Sequence, residues 1–144
     1  MIQQDTIKLL RECDAGVKMG ISSIDDVLKS VKSKKLMEYL QTCKAEHEQL
    51  QEEITQRLHE FGDEGKNPNP IVKSMSWLKT TAKLAADSTD AVIADLMTDG
   101  CNMGVKSLNR YLNEYKAAEE YAKDITKRLI NLEEKLAIDI RSFL

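Results

Sequence analysis

The sequence predicts an all-α protein: a four-helix bundle made of a helical hairpin used twice, with an additional helix crossing between the two copies. Three observations carry this. Apolar residues recur every three or four positions along most of the chain, the period of helices that pack on one side. Both prolines, Pro68 and Pro70, fall in the single stretch Gly62 to Pro70, so turn chemistry is concentrated in one linker. Finally, a pattern in the first half of the chain returns in the second.

The first helix is expected over about residues 4–32, where Ile7, Leu10, Val17, Ile21, Ile24, Leu28 and Val31 form one face. Lys29, Lys32, Lys34 and Lys35 gather toward its end, where positive charge suits the carbonyl end of a helix dipole. Ser33 is the expected cap of a second helix over 34–61, striped by Leu36, Leu40, Cys43, His47, Leu50, Ile54, Leu58 and Phe61. After the linker, Ile71, Met75, Leu78, Ala82 and Ala85 mark a crossover helix over about 70–86 that carries the only tryptophan, Trp77. The third helix, 88–113, starts at the capping run Asp87-Ser88-Thr89-Asp90 and continues through Ile93, Met97, Gly100, Gly104, Leu108 and Tyr111.

The last stripe is Ala118, Ala122, Ile125, Leu129, Leu132, Leu136, Ile140 and Phe143, a helix over 117–143 whose inward face reads as wholly apolar. Glu46, Glu48, Glu52, Glu53, Glu133, Glu134 and Lys135 read as solvated surface. No strong breaker separates the last two stripes. One helix from Ser88 to Leu144 would be about 85 Å long, too long for one compact domain of this size. A turn is therefore placed at Asn113 to Ala117, because asparagine tolerates the left-handed conformation at a helix end.

The repeat is specific. Gly16-Val17-Lys18-Met19-Gly20-Ile21-Ser22-Ser23-Ile24 matches Gly100-Cys101-Asn102-Met103-Gly104-Val105-Lys106-Ser107-Leu108. In the helices that follow, Glu38-Tyr39 matches Glu120-Tyr121, and Leu50, Glu52 and Phe61 match Leu132, Glu134 and Phe143. The two hairpins are separated by 26 residues, Gly62 to Asp87, whereas a simple up-and-down bundle needs only about 2–8. So long a connection can run the length of the bundle and leave helices two and three parallel. A helical glycine costs about 1 kcal/mol relative to alanine, so the repeated pairs Gly16/Gly20 and Gly100/Gly104 need a reason. The expected one is close packing of helix one on helix three, with the two glycine pairs meeting across a pseudo-twofold axis.

With its duplicated hairpin, tryptophan-bearing crossover and Gly-Met-Gly segments, the chain resembles the ferritin-like superfamily. Within it, the likeness is to small bacterial ferritin-like bundle proteins of unknown function. That resemblance implies a ferritin-like four-helix bundle over 1–144. In its di-iron members a Glu on helices one and three and an E-x-x-H on helices two and four face inward. This chain departs from that set. Lys44, not Glu, stands three residues before His47; the counterpart of His47 on the last helix is Leu129; and no histidine follows His59. The carboxylates on offer are Glu12 or Asp14 on helix one and Asp99 on helix three, too few for a di-iron centre. His47 with Asp14 and Asp99, near Cys43 and Cys101, remains the weak candidate for a single metal ion. Cys43 has His47 four residues on, on the same face, but the sequence names no third group to complete a nucleophilic site.

Composition narrows the rest. With 21 Lys plus Arg against 24 Asp plus Glu, the net charge of −3 does not suit nucleic acid as the main partner. No apolar run approaches membrane-spanning length, and the first residues lack a secretory pattern. Three cysteines without C-x-x-C spacing do not make a disulfide or zinc framework, so a cytoplasmic location is expected. No cofactor is called for. The expectation is a non-enzymatic structural or interaction protein whose partner is a second copy or another protein, with neither nucleic acid nor membrane. The alternative is a metal-dependent oxidoreductase or metal store using an incomplete site around His47. A third reading, a regulatory helix-binding partner, would use the crossover face around Trp77.

Overall fold

The computed structural model describes residues 1–68 and 89–144. They form four α-helices: α1 (Ile2–Leu28), α2 (Lys34–Glu60), α3 (Asp90–Glu114) and α4 (Glu120–Ile140), closed by a short 3-10 turn, Arg141–Phe143. There is no strand among the described residues. The expected crossover helix over 70–86, with Trp77, lies outside the described residues.

The stripes decide which faces go inside. On α2, seven of the eight striped residues are buried, Leu36 through Leu58, and only Phe61 at the frayed end is half-buried. Each fully buried leucine or isoleucine contributes about 1.5–3 kcal/mol relative to an exposed one. On α3 the buried face is turned by one residue from the expectation: Cys101 is inside and Gly100 outside. Caps fall where hydroxyls are available. Ser33 Oγ accepts from the Leu36 N–H at 3.3 Å, and Thr89 Oγ1 accepts from the Val92 N–H at 3.2 Å.

Helix directions follow from which halves share a core. One apolar cluster gathers Leu9, Leu10 and Val17 from the start of α1, Leu50 and Leu58 from the end of α2, Leu108 from the end of α3, and Ala122 and Ile125 from the start of α4. The second gathers Ile24 and Val27, then Leu36 and Leu40, then Ile93 and Met97, then Leu136 and Ile140, the opposite halves of the same helices. Hence α1 and α4 run one way and α2 and α3 run the other. The parallel α2 and α3 are what a long connection between hairpins permits.

Two ends turn earlier or later than expected, for one reason. The α1 helix stops at Leu28 rather than near 32 because the N–H groups of Lys32 and Ser33 are held from outside: Asp90, at the start of α3, accepts both at 2.9 Å. The α3–α4 turn is centred on Tyr115 to Glu119 rather than on a left-handed Asn113, which stays helical. There Asp5 Oδ2 accepts from the Ala117 N–H at 3.1 Å and Thr6 Oγ1 from the Glu119 N–H at 2.8 Å. Each hairpin's turn is thus tied to the first turn of the other hairpin. In the repeat register Asp90 is the counterpart of Thr6.

The chain leaving α2 is strapped back onto α1. Asp14, 2% exposed, accepts from the Lys66 backbone N–H at 2.9 Å and pairs with Lys18 at 2.7 Å. Arg11 pairs with Asp63 at 2.8 Å, and the Lys66 ammonium with Glu12. Gly65 makes the strap possible: its φ of +95° is open to glycine, and a Cβ there would collide with the Asp14 carboxylate. Asp14→Ala is expected to destabilise by about 1–3 kcal/mol, since it strands the half-buried Lys66 N–H and removes the ion pair of Lys18, whose ammonium keeps only the Lys66 carbonyl and Asn67. Urea denaturation measures this; a loss below about 0.5 kcal/mol, the range of an ordinary surface change, would show that the strap contributes little.

Candidate functional site: a polar layer at mid-height

Between the two apolar clusters each helix contributes one residue that belongs to neither: Gly20 on α1, His47 on α2, Gly104 on α3 and Glu133 on α4. His47 is 1% exposed and the Glu133 side chain 13%. The imidazole is bound at both nitrogens. Nδ1 is 2.8 Å from the Cys43 carbonyl, which can only accept, and Nε2 is 3.0 Å from Glu133 Oε1. Two acceptors require two N–H groups, so the ring is the imidazolium and the contact with Glu133 is a buried ion pair.

The glycines make the room. A Cβ on Gly20 would lie 2.9 Å from both Cδ2 and Nε2 of His47 and 3.7 Å from Glu133 Oε1. A Cβ on Gly104 would lie 3.5 Å from the Glu133 carboxyl carbon. The repeated glycines therefore do not meet one another across α1 and α3. Gly20 and Gly104 cover the two members of the ion pair, Gly16 faces Leu129 at 3.7 Å, and a Cβ at Gly100 would have nothing within 4 Å.

Burial opposes charge on His47, but its hydrogen bonds to Cys43 and Glu133 outweigh that, and its pKa rises from 6.5 to about 10. The sign of the linkage is that of a raised base. Stability from this group is complete below pH 6.5, where folded and unfolded chains both hold the proton, and it is lost as pH climbs toward 10. In between, stability is expected to fall by about 1.4 kcal/mol per pH unit. Up to about pH 8, a full unit below the ordinary thiol value of 9.0, the slope belongs to His47. Urea titrations from about pH 6.5 to 8 measure it, and a flat profile would contradict the ion pair.

Two thiols complete the neighbourhood. Cys43 Sγ is 3.5 Å from His47 Nδ1. Burial pushes the Cys101 thiol upward, and the nearby Glu133 carboxylate adds to the rise. Cys13 belongs elsewhere. Its Sγ is 3.2 Å from the Thr126 hydroxyl, and burial raises it to about 12 against the smaller, opposing pull of that hydrogen bond.

The three residues read from the sequence as a weak metal set are not assembled. His47 is in the layer, but Asp14 is consumed by the strap, six residues or about 9 Å along α1 from Gly20. Asp99 is exposed on the outer face of α3. Among the described residues no three His, Cys, Asp or Glu side chains are placed to hold a metal ion.

The residue that sequence reasoning missed is Glu133, taken there for solvated surface on a helix whose inward face was expected to be all apolar. The signal was present: Leu129, Glu133, Leu136 and Ile140 keep steps of four, three and four. Leu132, preferred for that stripe, is half-buried and packs against the first apolar cluster, beside Glu133.

Outside this layer, α2 and α4 are joined by surface ion pairs. Arg128 holds Glu53 with two bonds of 2.8 and 2.9 Å, and Lys135 reaches Glu46 at 3.6 Å. Between these helices runs a groove of about 310 Å³ lined by Tyr39, Thr42, Cys43, Leu132 and Leu136 among others. No helix among the described residues is long and apolar enough to cross a membrane. The chain matches no protein-family model, no curated protein and no solved structure, so the chemistry of this layer has to stand on its own geometry.

Proposed function

We propose that the chain is a ferritin-like bundle, built from a duplicated hairpin, that works in the cytoplasm as a non-enzymatic structural or interaction protein. Its partner is a second copy of the chain or another protein. The reading is carried by the mid-height layer. Di-iron members of the ferritin-like class need several inward carboxylates and two imidazoles there, whereas this chain offers one imidazolium and one carboxylate, neutralising each other across 3.0 Å. A donor set already satisfied by its own proton has little to give an iron ion. The parallel α2 and α3 support the ferritin-like topology. The reciprocal ties, Asp90 to the first turn and Asp5 with Thr6 to the second, support an origin by duplication.

Metal analysis of protein purified in air and under anaerobic conditions tests the proposal, together with light scattering and capture of partners from cell extract. Substoichiometric iron and manganese with a stable complex, homomeric or heteromeric, is the expected result. Stoichiometric metal that disappears in His47→Ala would overturn it.

A further inference from the structure

The groove between α2 and α4 has a thiol in its lining. Cys43 lies one helical turn before His47, with Sγ 3.5 Å from Nδ1, while Nε2 on the far side of the ring lies 3.0 Å from Glu133. Thiol, imidazolium and carboxylate therefore stand in the order that activates a nucleophile: the Nδ1–H, bound to the Cys43 carbonyl at 2.8 Å, also lies within reach of the sulfur, and a third group orients the cation. Cys43 is 7% exposed, and it borders open space beside Tyr39, Thr42, Leu132 and Leu136. Cys13 and Cys101 are 0% and 2% exposed.

We propose that Cys43 is a modification site, a nucleophilic thiol that a small hydroperoxide reaches through this groove and oxidises to the sulfenic acid. The thiolate is the reacting form of a cysteine, and His47 Nδ1, 3.5 Å away, is placed to donate to the sulfur as it reacts. Sγ attacks one peroxide oxygen; the S–O bond forms as the O–O bond breaks. The sulfur gives up an electron pair, the peroxide is reduced, and the departing hydroxide takes up the proton that the thiol lost on forming the thiolate and leaves as water. The groove walls carry charges of both signs, Lys35 and Lys135 with Glu38, Glu46 and Asp139, so a neutral hydroperoxide meets no net repulsion. A volume near 310 Å³ admits it easily, given that a water molecule occupies about 30 Å³. The modification is stoichiometric, which separates it from the proposal that the bundle is not an enzyme.

The test compares three cysteines within one folded molecule. The full chain is treated with limiting hydrogen peroxide in the presence of dimedone, which captures sulfenic acids, and each cysteine peptide is quantified by mass spectrometry. Cys43 is expected to be captured at least about tenfold faster than Cys13 or Cys101. In His47→Gln, verified as helical by circular dichroism, the Cys43 rate should fall to that of the other two. Equal rates for the three cysteines of the wild-type protein would overturn the proposal, and that comparison decides the matter if His47→Gln does not fold. An undiminished Cys43 rate in folded His47→Gln would also overturn it, since groove access alone would then explain the reactivity.

Discussion

Replacing Glu133 with alanine is expected to destabilise the bundle by about 3–5 kcal/mol, the scale for removing one partner of a buried ion pair. The argument rests on what remains. His47 is 1% exposed, and its Nδ1–H stays bound to the Cys43 carbonyl. The truncated chain must then bury an imidazolium facing empty space or give up its proton and leave Nε2 without a partner. Either outcome loses far more than one surface contact. Glu134→Ala, one residue along on the exposed face, is the control and should change stability by no more than about 0.5 kcal/mol. The pair is not expected to be worth what its breakage costs. A double replacement, His47→Leu with Glu133→Leu, joins the two apolar clusters, and such exchanges are often neutral or stabilising. Urea denaturation at pH 7 on the two single variants and the double one closes the cycle. A Glu133→Ala loss under about 1 kcal/mol would mean that water reaches the layer and the imidazolium is not buried in practice.

How far the fold could be read beforehand depended on the kind of signal. Helix faces were legible because burial writes itself into the spacing of apolar residues, and Leu36 to Leu58 on α2 went inside as spaced. The parallel course of α2 and α3 was legible because a 26-residue connection is longer than a tight turn needs. Boundaries were less so. The α1 helix gives up its last turn to Asp90, a residue 62 positions beyond Leu28, and no local propensity encodes that. The glycines were legible as a demand for space but not for whose space. A missing Cβ says only that something bulky approaches, and a buried imidazole fits that as well as a second helix. Glu133 was the hardest. A charged residue is more often on the surface, and only its partner 86 residues earlier draws Glu133 into the layer.

Leucine at Gly20 is expected to destabilise by about 3–5 kcal/mol, because it combines overpacking with separation of the ion pair. A bare Cβ would already sit 2.9 Å from two ring atoms of His47. That ring cannot swing aside cheaply, being fixed at both nitrogens. The other glycines of the repeat supply a graded series. Gly104 faces Glu133, with the nearest atom at 3.5 Å and part of a longer side chain that can adjust, so Gly104→Leu should cost less, about 1–3 kcal/mol. At Gly100 the space is open and the helix is exposed. Gly100→Ala should therefore stabilise by about 0.5–1 kcal/mol, the gain from replacing a flexible helical residue. Thermal or urea denaturation of the three variants gives the order directly. If Gly100→Ala proved as damaging as Gly20→Leu, the glycines would be serving a contact between α1 and α3 after all. The expected order follows from which glycine of each pair faces the polar layer: Gly20 and Gly104 do, whereas Gly16 faces Leu129 and Gly100 faces open space.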